Sequence, residues 1–190
     1  MPVTDITAPV ALVLVDLQCG ITALPTVHPA DEVVERSARL ASLAHDAGWT
    51  VVRTRVEPDP AAPPARTDAA PPAIRPAADF AELDPRVPLL DSDLVVTKRA
   101  WDAFVGTGLD LALRRRSVKT LLLAGISTSI GVESTARSAR ELGYEIVVAS
   151  DAVTDLVASA HDDAVATILP RLARLATTEE LLRTCETMLV

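Results

Sequence analysis

Short apolar runs recur along the chain and predict buried β-strands. The run VALVLV at residues 10–15 is uninterrupted, as expected of a central parallel strand that is buried on both faces. Similar runs at residues 49–56, 118–124 and 144–149 predict further strands. Residues 87–96 lead into another, with Asp91 and Asp93 in the turn before it. Together these runs predict the strands of one sheet.

Between these runs, apolar residues recur at the spacing of an α-helix. Residues 31–47 predict a long helix that Asp31 can cap and Gly48 can end. Residues 109–116, 128–142 and 161–175 predict further helices. Strands that alternate with helices of this length are typical of α/β proteins. We therefore expect a three-layer α-β-α fold with a central, mainly parallel, doubly wound sheet and right-handed crossovers.

Residues 57–85 depart from this rhythm. They hold more than half of the 14 prolines, together with many alanines, and show no regular period. Proline removes a backbone donor and fixes φ, so the segment cannot form a central strand or continue a helix. We interpret it as a long loop within a single domain of residues 1–190, because neither flank could complete a sheet alone. Such a loop either covers an active site or lies on the surface.

Composition excludes several classes of function. The net charge is −8 and 49% of the residues are hydrophobic, which suits one domain with a full core and no nucleic-acid partner. The basic cluster at residues 114–116 falls at a predicted helix end, where cations are favoured. Cys19 and Cys185 form no paired pattern, no apolar run is long enough to span a membrane, and no leader opens the chain. We expect a cytoplasmic protein with no membrane partner.

Candidate chemistry lies at the ends of three predicted strands. Asp16 directly follows the first, where a buried charge is costly unless it has a partner or a task. Lys98 closes the strand that residues 87–96 introduce. Residues 125–137, GISTSIGVESTAR, form a glycine turn from strand into helix, the place where α/β enzymes expose a nucleophile. Because the carboxyl ends of parallel strands share one edge, we expect these groups to converge.

These three segments resemble the isochorismatase-like superfamily, whose amidase members carry an Asp, Lys, Cys triad. Asp16 and Gln18 match its Asp-x-Gln motif, and Lys98 with the downstream AFVGTGL at residues 103–109 matches its second motif. The segment at 125–137 matches the third, except that Gly131 stands at the cysteine position. The resemblance covers residues 12–155 and is weak at 57–85.

The resemblance implies roles for particular residues. Asp16 would be the catalytic acid or base, and Lys98 its catalytic partner that orients the substrate. Backbone amides at Ser127 and Gly131 would bind an oxyanion, after a cis peptide between Ile126 and Ser127. Further contacts with substrate are expected from Gln18, Phe104 and Ile130. Relatives pair as dimers or larger oligomers, so a homo-oligomer is expected.

Gly131 limits the possible reaction mechanisms, because glycine has no side chain for nucleophilic attack. The isochorismatases proper also carry glycine there, and they resemble this chain in using an aspartate with water. By that analogy Asp16 would protonate a vinyl carbon of an enol ether, water would attack, and Lys98 would hold the pyruvyl carboxylate. The elbow lacks the aromatic residue and histidine of that branch, so the substrate stays open.

Hydrolysis by water is not the only interpretation of this sequence. The chain could be a catalytically silent member that binds a small molecule or serves as an oligomeric scaffold, or Gly131 could replace a native cysteine. Cys19 is a poor substitute thiol, because no helix amides would activate its thiolate. We expect no cofactor and no metal: the Asp-x-His ligand pair of nicotinamidase relatives is absent after the second strand, where this chain reads RTRVE at residues 53–57.

Overall fold

The computed structural model describes residues 5–57, 59, 61, 66–68 and 77–188, and for residues 186–188 only the backbone. Its sheet consists of parallel strands in the order β3-β2-β1-β4-β5-β6. The strands are β1 (Val10–Val15), β2 (Thr50–Val56), β3 (Leu94–Lys98), β4 (Thr120–Ile126), β5 (Glu145–Thr154) and β6 (Arg174–Ala176). The prediction of a doubly wound parallel sheet is confirmed. Much of the Pro/Ala-rich loop predicted at 57–85 lies outside the described residues.

Helices cover both faces of this sheet. They are α1 (Cys19–Thr22), α2 (Ala30–Asp46), α3 (Leu109–Arg115), α4 (Glu133–Glu141), α5 (Ala158–Asp163), α6 (Leu169–Leu172) and α7 (Thr178–Met188). A π-helical turn, Thr128–Val132, leads into α4, and another, Ala164–Ile168, joins α5 to α6. Among the helices in the described part of the chain, none has the length and apolar character needed to cross a bilayer.

The core has two layers, one on each side of the sheet. In β1, Leu12 and Leu14 pack into the layer beneath α2 and α7, whereas Val13 and Val15 pack into the layer beneath α3, α4 and α6. All six residues of β1 are buried. Burial on both faces is the reason that this strand has no polar alternation.

The predicted helix at residues 161–175 is wrong in its length. Helical structure in this region ends at Leu172, and Arg174–Ala176 form strand β6, which pairs with β5 from Val147 to Ala149. This edge strand has three residues, too few to show an alternating pattern of apolar and polar positions. Its conformation is therefore decided by its pairing with β5. The following helix α7 was also missed; it begins at Thr178, whose N–H and hydroxyl both donate to Asp151.

The strand order reverses between β1 and β4, which are hydrogen-bonded neighbours. Gly125 pairs with Val15 and has a φ of +129°, and a Cβ there would lie 2.1 Å from the Val15 carbonyl oxygen. Only glycine permits this approach. The chain segments that follow β1 and β4 therefore diverge from neighbouring positions on the sheet edge. At such a point, α/β proteins bind their ligands.

Candidate active site

Asp16 stands at this point of the sheet edge. Its φ is 51°, a left-handed conformation that residues other than glycine rarely adopt. The Thr54 hydroxyl, on β2, accepts a hydrogen bond from the Asp16 N–H at 3.1 Å and donates one to Asp16 Oδ1 at 2.8 Å. Asp16 is 6% exposed. The neighbouring strand thus holds the carboxyl group in one orientation, and the unusual backbone conformation is typical of a functional position.

Lys98 ends β3 and forms an ion pair with Asp16, with 2.7 Å between Nζ and Oδ2. The two side chains converge as predicted. The Lys98 ammonium also donates to the carbonyl oxygens of Ala100 at 3.2 Å and Trp101 at 2.9 Å. An ammonium group has three N–H donors, so these acceptors occupy all of them. Lys98 therefore has no donor left for the substrate carboxylate that the sequence analysis expected it to hold.

Burial controls the protonation of Asp16. Desolvation raises the pKa of its carboxyl group, and the charge of Lys98 with hydrogen bonds from Lys98 and Thr54 opposes that rise. The net direction is upward, because a carboxylate with little access to water is costly even beside a cation. Asp16 is thus a stronger candidate for a proton donor near neutral pH than an ordinary surface aspartate.

The elbow after β4 lies against Asp16. It begins with a cis peptide bond between Ile126 and Ser127, as the resemblance implied. The π-helical turn follows, and the Val132 N–H donates to the Ser127 carbonyl at 3.0 Å. A Cβ on Gly131 would lie 3.3 Å from Asp16 Oδ2 and 2.9 Å from Val15 Cγ1. A side chain at position 131 would therefore point at Asp16, and glycine leaves that side of the carboxyl group open.

Asp155, which sequence reasoning missed, anchors the elbow from β5. Its Oδ2 accepts hydrogen bonds from the Ser129 N–H at 2.7 Å and the Ser129 hydroxyl at 2.8 Å. The Thr128 hydroxyl in turn bonds His161 Nδ1 at 2.9 Å. Asp155 directly follows β5, as Asp16 follows β1, but Ser150 and Asp151 interrupt the apolar run, so the sequence predicts an earlier strand end and Asp155 lacks the signal that identified Asp16. No comparable signal marks Thr54, which lies inside its strand.

These elements enclose a cleft of about 640 Å³. Most of its wall is apolar, with Asp16 and Lys98 at its base. The lining residues are Asp16, Ile21, Leu24, Val56, Phe80, Lys98, Arg99, Ala100, Trp101, Ile126, Ser127, Ile130, Gly131 and Leu156. The volume and the few polar groups suit a small organic molecule.

Two of the predicted substrate-binding residues do not line this cleft. Gln18 is fully buried, accepts a hydrogen bond from the Val56 N–H at 2.7 Å and donates to the Phe80 carbonyl at 2.8 Å. Phe104 lies in a separate surface groove and stacks on Tyr144 with ring centroids 6.0 Å apart. Their observed contacts are structural, whereas Ser127, Ile130 and Gly131 line the cleft.

Gln18 helps to fix a segment that closes one side of the cleft. The Cys19 and Gly20 N–H groups donate to the Glu82 and Phe80 carbonyls at 2.8 and 3.1 Å. The end of the predicted Pro/Ala-rich loop therefore covers part of the site. The same contact brings acidic residues near Cys19, and burial together with Asp84, Asp79 and Glu82 raises the pKa of its thiol. Cys19 is also not among the residues that line the cleft.

Comparison with known proteins agrees with this geometry. Residues 10–180 match the isochorismatase domain family. The chain belongs to the isochorismatase family. It is 44% identical over 178 residues to the isochorismatase family protein YecD of Escherichia coli O157:H7, covering 90% of this chain and 94% of that protein. An isochorismatase family protein from Burkholderia thailandensis has a structure with a TM-score of 0.88 and 39% identity, covering 93% of this chain and 95% of that one.

The isochorismatase-like superfamily contains hydrolases, amidases among them. The ureidoacrylate amidohydrolase of Variovorax paradoxus is 38% identical to this chain over 77 residues, which is 40% of this chain and 29% of that enzyme. This chain combines the family fold with a glycine, Gly131, in the lining of the cleft.

The stretch in which the sequence lacks the Asp-x-His pair lies within β2 except for its last residue, and its residues have other contacts here. Arg53 is buried and donates to the carbonyl oxygens of Val87 at 3.2 Å and Pro88 at 3.1 Å, and Thr54 holds Asp16. Within the described ranges, no three His, Cys, Asp or Glu side chains are grouped so that they could hold a metal ion.

Proposed function

We propose that this chain is a single-domain hydrolase that cleaves an enol ether of a small molecule with water as the nucleophile. The observation that carries this proposal is the buried Asp16–Lys98 pair at the base of an apolar cleft, beside a residue without a side chain. Asp16 supplies the acid, and it lines the same cleft as Gly131, whose lack of a side chain leaves no group between its backbone and Oδ2.

The reaction begins with protonation of the substrate. Protonated Asp16 transfers its proton from Oδ2 to the terminal vinyl carbon, and the double-bond electrons form the new C–H bond. The adjacent carbon becomes an oxocarbenium centre stabilised by the ether oxygen. Water adds to this centre and returns a proton to the Asp16 carboxylate. The resulting hemiketal collapses to a ketone and an alcohol. The raised pKa of Asp16 supports the first step, which requires its protonated form.

Lys98 acts in this mechanism through Asp16. It lies 2.7 Å from Oδ2 and is held in place by the carbonyls of Ala100 and Trp101. Its charge stabilises the Asp16 carboxylate that forms when the proton leaves. Lys98 is therefore a positioning residue that also limits how far burial can raise the pKa of Asp16.

The contacts of Gly131 bear on the reading that it replaces a native cysteine. Val15 Cγ1 occupies the space that a Cβ would enter, at 2.9 Å, and this is closer than packed carbon atoms normally approach. Glycine fits the packing around this site without any movement. The packing thus suits glycine at position 131, which leaves water rather than a thiol as the nucleophile in this chain.

The test measures hydrolysis of 2-phenoxyacrylate, a simple enol ether of pyruvate, by the release of phenol. We expect Asp16→Asn to lower kcat/KM by about 10²-fold or more, the usual size of a general acid term. Cys19→Ser is the matched control, since it lies three positions further on and outside the cleft lining, and its turnover should equal that of the wild type. Circular dichroism checks that both variants fold.

Two outcomes would contradict the proposal. Loss of turnover in Cys19→Ser with intact Asp16→Asn would identify a thiol mechanism. Absence of turnover in all three proteins, on isochorismate and small amides as well as on 2-phenoxyacrylate, would favour the binding or scaffold role instead.

A further inference from the structure

The charges in the cleft are unequal. Its lining contains one carboxylate, Asp16, and two cations, Lys98 and Arg99. Even when Asp16 is ionised, it only compensates Lys98 at 2.7 Å, so the charge of Arg99 is left over. This positive site belongs to a chain whose net charge is −8. The cleft is therefore positive although the whole protein is negative, and a positive cleft attracts anions.

Arg99 has no partner within the described part of the chain. It is exposed, and no hydrogen bond or ion pair connects its guanidinium to another described residue. The stretches of the Pro/Ala-rich segment that the structure does not describe contain no Asp or Glu, so they cannot supply a carboxylate either. The other side chains at this wall of the cleft are apolar. The Arg99 guanidinium therefore has its donors available for an anionic ligand in the cleft.

The backbone around Arg99 is held firmly. The two carbonyls that follow it, of Ala100 and Trp101, both accept hydrogen bonds from the Lys98 ammonium. The segment therefore folds back over the buried lysine and presents Arg99 and Trp101 together to the cleft. Trp101 is 67% exposed, although an indole normally gains from burial. A guanidinium and an indole in the lining of one cleft suit a ligand with an anionic group and an apolar or aromatic body.

We propose that Arg99 binds the carboxylate of the substrate, and that the substrate class is a small carboxylate with an apolar ring or chain. A guanidinium group can donate two parallel hydrogen bonds to one carboxylate, which gives both affinity and orientation. Arg99 thus takes the task that Lys98 cannot perform, because the donors of Lys98 are all occupied. This inference rests on the proposed function, since it concerns the same cleft.

The first experiment measures binding without turnover. Isothermal calorimetry compares 2-phenoxypropanoate, which lacks the vinyl group, with its neutral methyl ester. We expect the wild type to prefer the acid, and Arg99→Gln to lose affinity for the acid by about 10-fold or more at low salt. Arg99→Lys should restore part of it. Arg115→Gln is the matched control, because Arg115 is an exposed arginine outside the cleft, and its affinity should equal that of the wild type.

The second experiment repeats the comparison in turnover. We expect Arg99→Gln to lower the ratio of kcat/KM for 2-phenoxyacrylate to that for its methyl ester by about 10-fold, which a purely structural defect would leave unchanged. Equal losses for acid and ester, or an equal change in Arg115→Gln, would overturn the role of Arg99. So would equal affinity of the wild type for the acid and the ester. Arg99-dependent binding without any turnover would refute the enol-ether reaction and leave the carboxylate site standing.

Discussion

Removal of Lys98 should destabilise the fold in a way that depends on pH. In Lys98→Met, Asp16 stays buried without its cation, while methionine keeps most of the volume of the lysine side chain. Two unit charges 2.7 Å apart attract by about 6 kcal/mol at an effective dielectric constant of about 20. Part of this is offset, because the variant no longer buries an ammonium group. We expect a loss of about 3–5 kcal/mol in the free energy of unfolding at pH 8, the usual cost of breaking a buried pair.

The sign of the pH dependence follows from Asp16. Burial already raises its pKa above the usual value of 3.8, and loss of Lys98 removes the largest opposing influence. The folded variant therefore binds a proton more tightly than the unfolded chain. Its penalty is full above the folded pKa and decreases, by up to about 1.4 kcal/mol per pH unit, as the pH falls from that value toward the unfolded pKa of 3.8. Lys98→Met should thus recover stability, relative to wild type, between pH 8 and pH 5.

Urea denaturation at pH 5, 6.5 and 8, followed by circular dichroism, measures both effects. The control is the double variant Asp16→Asn/Lys98→Met, which has no buried charge at either position. It should be more stable than Lys98→Met at pH 8 and show the smaller pH dependence of the two. Two results together would refute the buried ion pair as the source of this stability. The first is an equal loss of unfolding free energy in Lys98→Met at all three pH values. The second is a loss in the double variant that equals the sum of the losses in the two single variants.

Further predictions concern the glycines, the thiols and metal. Gly125→Ala should lower the free energy of unfolding by roughly 3 kcal/mol or more in urea denaturation, because its Cβ would clash with Val15 in a left-handed conformation, whereas Gly143→Ala has open space and should cost less. Gly131→Cys should place a thiol beside Asp16 and create turnover on small amides, at a cost of about 1–3 kcal/mol from contact with Val15; an unreactive thiol would contradict this geometry. Alkylation of wild-type cysteines should leave turnover intact, and lost activity would indicate a required thiol. Exhaustive chelation should leave activity and Tm unchanged, and a stoichiometric metal in purified protein would be evidence against this.

The strands and their polar ends were readable from the sequence for a physical reason. A parallel strand covered by helices on both faces needs an unbroken apolar run, and a charge directly after it is conspicuous because it is costly there. The apolar run Val10–Val15, followed by Asp16, shows both features. Strand Leu94–Lys98 shows only the second, with the charge of Lys98 at its end. Edge strand β6 shows neither, and the helical pattern predicts helix for Arg174 and Leu175, two of its three residues. Its conformation depends on pairing with β5, which no local pattern encodes.

At the site, the sequence determined which groups are present and which are missing: an acid, a lysine, and glycine where a thiol would act. It could not assign their tasks, because those depend on distances between residues far apart in the chain. Only the tertiary structure decided that Thr54 orients Asp16 and that Gln18 holds the segment containing Phe80. It also decided that the Lys98 donors are all occupied while Arg99 faces the cleft without a partner among the described residues. Hydrogen-bond donors are limited in number, so the folded arrangement, rather than the residue type, settles which cation is left to bind a ligand.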